Sequence, residues 1–161
     1  MQLFTFDSPK ILKSAVYRED GDDRSLQYTI ATTKQTFARQ RTTVRDGAVA
    51  AEIDWRERTF EIAGERHGVD GLKRKVSNFS ETRYWKWLNG RGEEYKVKYF
   101  NADETWTVKA STGEIVAEFT SQLGRGKLPV LRMVEDQDDI ERWFLLLVLL
   151  YSETKRLDRE D

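Results

Sequence analysis

Ile140-Glu141-Arg142-Trp143-Phe144-Leu145-Leu146-Leu147-Val148-Leu149-Leu150-Tyr151 is the stretch that decides the fold. From Trp143 to Tyr151 it holds nine consecutive apolar residues. At 3.6 residues per turn, such a run points in every direction around a helix, so the helix must be surrounded on all sides. Periodicity alone also allows a central strand, but the run is rich in leucine and poor in β-branched residues, which favours a helix. A bilayer-spanning helix needs about 20 apolar residues, so the run is too short to be a membrane anchor. Asp138 and Asp139 suit the positive end of a helix dipole, and Lys155, Arg156 and Arg159 suit the negative end.

Upstream of this run the pattern has period two until about Val134. In Leu26-Gln27-Tyr28-Thr29-Ile30 the large apolar residues alternate with polar ones. Val49, Ala51, Ile53 and Trp55 share one face, and Phe60 and Ile62 continue after the charged turn Arg56-Glu57-Arg58. Tyr95, Val97 and Tyr99 alternate with Lys96 and Lys98, and Trp106 and Val108 with Thr105, Thr107 and Lys109. Ile115, Ala117 and Phe119 alternate with Val116 and Glu118. Such strands put one face on a core and the other in water. Turn chemistry separates them at Asp20-Gly21-Asp22-Asp23, Asp46-Gly47, Asn89-Gly90-Arg91-Gly92, Asn101-Ala102-Asp103 and Ser111-Thr112-Gly113.

These signals predict a single domain over 1–161 that is mainly β with one C-terminal helix. Roughly 12 strands over about 3–134 are expected to close as a β-barrel around a buried central hydrophobic helix at about 138–157. A helix of roughly 18 residues spans about 27 Å, which matches the height of a barrel.

The order of motifs resembles a known family. Gly92-Glu93-Glu94-Tyr95-Lys96-Val97-Lys98 is followed by Thr105-Trp106-Thr107-Val108 and by Gly113-Glu114-Ile115-Val116-Ala117-Glu118-Phe119. That succession is similar to the tubby C-terminal-like superfamily, with its LURP-one-related and scramblase-like members. More narrowly, it is similar to an uncharacterised fungal domain family assigned to that fold. Val97 stands where the pattern usually has tryptophan. The resemblance covers most of the chain from Ile53 onward and implies a barrel around a C-terminal helix. It implies no catalytic residue, and the binding motif of the phosphoinositide-binding members has no residue-by-residue match here.

Composition narrows the function classes. The chain has 161 residues, a formal net charge of -1 and no cysteine. Thiolate chemistry and disulfides are therefore excluded, and overall charge selects neither nucleic acid nor an anionic surface. The N-terminus has no basic and apolar leader pattern, so an intracellular, cytoplasmic location is expected, or a peripheral one at a membrane. The sequon Asn78-Phe79-Ser80 is accordingly read as chance. The lone histidine, His67, reads as an exposed turn residue between Gly64 and Gly68 and makes no zinc site by itself. Glu52 and Asp54 share a strand face and read as solvated. Gly124-Arg125-Gly126-Lys127 lacks the spacing of a phosphate loop and reads as a basic turn. No catalytic, cofactor-binding or metal-binding residue is assigned, and no enzymatic activity is expected.

Charge is nevertheless unevenly placed. Arg66–Lys98 holds nine basic and four acidic residues, whereas Glu135–Asp161 holds four basic and nine acidic. Lys73, Arg74, Lys75, Arg83, Lys86, Lys96 and Lys98 are the candidate headgroup-binding residues, since gathered cations hold phosphate through charge-assisted hydrogen bonds. Tyr84, Trp85 and Trp87 offer stacking surfaces, but strand alternation puts Trp85 and Trp87 in the core, and nucleic acid is not an expected partner. The expected function is a binding or interaction domain for an anionic membrane lipid or a protein partner. The alternative is a lipocalin-like carrier of a small apolar ligand, whose helix would be apolar on one face only.

Overall fold

The structure, a computed structural model, describes residues 1–77, 81–87, 92–121 and 126–160. The sequon Asn78-Phe79-Ser80, the turn residues Asn89-Gly90-Arg91 and the pair Gly124-Arg125 lie outside the described residues. The first half of the chain forms β1 (Gln2–Phe6), β2 (Ser14–Asp20), β3 (Asp23–Gln35), β4 (Ala38–Asp46), β5 (Val49–Asp54), β6 (Thr59–Ile62) and β7 (Glu65–Gly68). A one-turn helix, α1 (Val69–Leu72), leads to β8 (Lys73–Lys75), β9 (Arg83–Lys86), β10 (Glu94–Phe100), β11 (Thr105–Lys109), β12 (Ile115–Thr120) and β13 (Val130–Met133). The helix α2 (Asp139–Glu160) ends the described chain.

All these strands join one 13-stranded antiparallel sheet in the order β7-β6-β5-β4-β3-β2-β1-β13-β12-β11-β10-β9-β8. The expectation of many strands and one C-terminal helix therefore holds. The ladder does not close: among the described residues, no backbone pairing joins β7 to β8. Side chains bring the two ends together instead. Phe60 of β6 stacks on Trp85 of β9 with ring centroids 5.8 Å apart, and His67 of β7 meets Trp87 edge-on at 4.7 Å.

The sheet curls around α2. Trp143 packs on Tyr28 of β3, and Phe144 touches Phe60, Trp85, Trp87 and Tyr95. Leu145, Leu147, Val148 and Leu150 are fully buried, as an all-round apolar helix requires. The helix begins as Asp138 indicated: its Oδ1 accepts the Glu141 N–H at 2.9 Å.

Polar groups on the helix are tied to strands at both ends. Near the start, Tyr95 Oη donates to Glu141 Oε2 at 2.6 Å. Burial pushes the Glu141 carboxyl above the ordinary carboxylate range, and the Tyr95 hydrogen bond opposes that rise. Near the end, fully buried Glu153 accepts from Trp106 Nε1 at 3.2 Å and from Arg156 Nε at 2.6 Å.

Two β-bulges overturn part of the sequence pattern. A register shift between Val16 and Tyr17 leaves Leu26 exposed, although Tyr28 and Ile30 on the same strand are buried. A second shift between Val108 and Lys109 exposes Ile115 and buries Val116 beside Ala117. His67 is not a turn residue. It lies on β7, half-buried, with Nε2 3.8 Å from Glu65. Asp54 is not solvated either. It is buried, and its Oδ1 accepts the N–H groups of Arg56 and Glu57, which caps the turn into β6.

Candidate anion-binding site

The register of β8, β9 and β10 sorts the seven candidate cations into two groups. Lys73 pairs with Trp85 and Trp85 with Tyr95, while Lys75 pairs with Arg83 and Arg83 with Val97. Paired residues share a face, and Trp85, Tyr95 and Val97 are buried. Lys73, Lys75 and Arg83 therefore lie on the helix side of the sheet. Arg74, Lys86, Lys96 and Lys98 lie on the outer side, because each is one residue out of phase with that set. The structure brings all seven onto adjacent strands but splits them into an inner and an outer group.

The outer group is partly neutralised. Arg74 makes a bidentate pair with Glu94, from Nε at 3.0 Å and Nη2 at 2.7 Å. That pair holds Glu94 below the ordinary carboxylate range. The Arg74 guanidinium also covers the Tyr84 ring at 4.5 Å, and Lys98 lies 4.9 Å from the Phe100 ring.

Two of the inner group, Lys73 and Arg83, face a cavity of about 640 Å³ beside the last turns of α2, and Lys75 is not part of its lining. Arg58, Lys73, Arg83, Lys155, Arg156 and Arg159 line it, with Glu81 and Asp158 as its only lining carboxylates among the described residues. Lys73 Nζ lies 5.3 Å from the Tyr151 ring and 5.8 Å from the Trp85 ring, and Lys155 Nζ lies 5.6 Å from the Tyr151 ring. Burial holds the Lys73 ammonium below the usual lysine range. Asp70 opposes that shift, while Arg58, Arg83 and Lys155 add to it. Burial likewise lowers Arg83, with Arg159 adding to the shift and Glu81 opposing it.

Several of these cations have partners. Arg58 bonds Asp70 at 2.9 Å, and Arg156 is committed to Glu153. For Lys73, Lys155 and Arg159, no described carboxylate lies within ion-pair distance. Two buried polar groups in the lining also lack a hydrogen-bond partner among the described residues: Trp85 Nε1 and Tyr151 Oη. Arg58 is close enough to the Tyr151 hydroxyl to be held above its ordinary range, although the geometry falls short of a hydrogen bond. Burying a donor without a partner costs about 1–3 kcal/mol, so such groups mark a place where an acceptor is missing. The arrangement offers charge-assisted hydrogen bonds to an anion from several directions.

A second cavity, of about 480 Å³, opens on another side of the same helix end. Lys10, Lys13, Lys34 and Arg39 surround a floor that includes Ile11, Leu12 and Leu157. The basic residues of both helix-end cavities outside Arg66–Lys98 were missed by sequence reasoning. One signal was available, since from Arg24 to Arg45 the chain has five basic residues and no acidic one.

Among the described residues, no group of three or more His, Cys, Asp or Glu side chains gathers at metal-binding distance. Among the described residues, no helix is long and apolar enough to cross a membrane. Comparison of the chain with family models, with curated proteins and with solved structures returned no match.

Proposed function

We propose that this is a non-enzymatic binding domain whose cationic cavity at the C-terminal end of α2 receives an anionic phospholipid headgroup. One observation carries the reading. Lys73, Lys155 and Arg159 line a single cavity, and no described carboxylate lies within ion-pair distance of any of them. Like charges held together in a partly dry site raise one another's energy, and a phosphate relieves that cost. The inner cations are better placed for this than the outer ones, because Arg74 is already satisfied by Glu94.

The tubby-like kinship enters the same proposal. A sheet curled around an all-round apolar helix supports it, as does the approach of the sheet ends through Phe60 and Trp85. In this reading the sheet forms a barrel-like wall that fixes the cavity's rim. The lipocalin-like carrier fits less well, because the fully buried leucines of α2 occupy the space a carrier would leave for its ligand.

Vesicle sedimentation tests the proposal. The protein is expected to sediment with phosphatidylserine- or phosphoinositide-containing vesicles at low salt and to be released as salt rises. Lys73→Gln with Lys155→Gln should weaken binding, and Lys96→Gln with Lys98→Gln should leave it nearly unchanged. Absence of sedimentation at low salt, or loss only in the outer-face variant, would overturn the reading.

A further inference from the structure

The β3–β4 hairpin carries a feature that neither cavity explains. Phe37, at its tip, is 97 % exposed, the highest exposure among the large apolar residues that are described. A single exposed apolar side chain is ordinary on a protein surface. This one is distinguished by its position. Pairing with β2 stops at Ile30, and pairing with β5 stops at Arg41. Beyond those rows the strand pairing is the hairpin's own, Lys34 with Arg39 and Gln35 with Ala38, apart from the Gln40 carbonyl, which accepts the Trp55 N–H at 3.1 Å. At about 3.4 Å per residue, the tip stands roughly 10 Å past the Arg41–Asp54 row.

The tip projects at the end of the molecule where both cavities open. Lys34 and Arg39 line the second cavity, and Arg39 bonds Asp158, which lines the first. The turn itself has no glycine: Thr36 takes the left-handed conformation, at φ 61°. Nothing acidic occurs between Arg24 and Arg45. An exposed aromatic ring is thus set among cations, ahead of two cation-lined openings.

We infer that this hairpin is an interfacial anchor, which inserts Phe37 into the surface of an anionic bilayer while Lys34, Lys10 and Lys13 meet its headgroups. The inference rests on the headgroup reading for the identity of the surface, and it adds how the domain is seated there. Apolar insertion and cationic attraction are the two signals that interfacial binding combines. A lone basic patch would bind through charge alone and release fully in salt. A hairpin that also buries an aromatic ring retains part of its affinity.

The absence of native cysteine gives a direct test, because the Phe37→Cys chain carries a single thiol for an environment-sensitive fluorophore. The same label on a Leu26→Cys chain serves as reference. Leu26 is 58 % exposed on β3, about 30 Å away at the opposite end of the hairpin. On phosphatidylcholine vesicles containing phosphatidylserine, the label at 37 is expected to shift to the blue and be quenched by lipid-borne quenchers. The label at 26 is expected to stay unchanged. Phe37→Ser should lower vesicle affinity on the order of ten-fold, the worth of a largely buried aromatic side chain.

If the protein sediments with the vesicles but the label at 37 does not respond, the anchor is overturned and the headgroup reading stands. Without sedimentation, both are overturned. A shift at 37 that grows with protein concentration in the absence of vesicles would also overturn the anchor, because it assigns the tip to self-association.

Discussion

Arg39 holds Asp158 through two parallel hydrogen bonds, Nη1 to Oδ2 at 2.9 Å and Nη2 to Oδ1 at 2.6 Å, and so joins the β3–β4 hairpin to the last turn of α2. The Arg39 guanidinium holds the Asp158 carboxyl below its ordinary value of 3.8, first through hydrogen bonding. Both side chains are about one-third exposed, so solvent screens the pair. A double-mutant cycle with Arg39→Ala and Asp158→Ala should give a coupling of about 0.5–1 kcal/mol at neutral pH. Because the folded value is depressed, this stability is present above 3.8 and is lost as pH falls through the folded value. The coupling measured by denaturant unfolding should therefore fade in acid.

Arg156 makes a costlier bond. Glu153 is fully buried, and Arg156 is its only charged partner among the described residues, with Trp106 Nε1 as the third group. Removing one member of a buried pair leaves a charge uncompensated. Arg156→Ala is expected to destabilise the fold by about 3–5 kcal/mol, and Arg156→Ala with Glu153→Gln by clearly less. Equilibrium unfolding in urea measures both.

Leu147 tests the packing of the helix. It is fully buried on α2, inside the curled sheet. Leu147→Ala is expected to cost about 2–5 kcal/mol, the usual range for emptying a core position. A nearly neutral result would mean that the surrounding strands do not depend on the helix for their filling.

The sequence shows some of these elements plainly and hides others. The unbroken run from Trp143 to Tyr151 identifies a buried helix by composition alone, because no face of it is suited to water. Turns such as Asp46-Gly47 are visible because glycine supplies the positive φ, here 60°. The β3–β4 turn is hidden because Thr36 adopts that conformation without glycine or asparagine. The period-two pattern puts Leu26 and Ile115 on the core face, because a bulge leaves no mark on it.

The candidate site was legible as a set of cations but not as a place. Alternation already separates Lys73 and Lys75 from Arg74. What sequence cannot show is that Lys155 and Arg159, some eighty residues on, meet Lys73 at one end of the helix. That meeting depends on the sheet's curl and on the register of β8 with β9. It brings together segments whose local charge balance differs in sign.

The indole N–H signals of the tryptophans give the most direct test of the central claim, that the inner cavity binds an anion. Trp55 Nε1 donates to Thr42 Oγ1 at 2.8 Å and Trp106 Nε1 to Glu153, whereas Trp85 Nε1 has no partner among the described residues. In a proton–nitrogen NMR titration with glycerophosphate, the Trp85 indole signal is expected to move saturably. The Trp55 signal should stay in place, and Lys73→Gln with Lys155→Gln should abolish the shift. A Trp85 signal that stays fixed while the backbone signals of Lys96 and Lys98 move would contradict the account and place the anion on the outer face of the sheet.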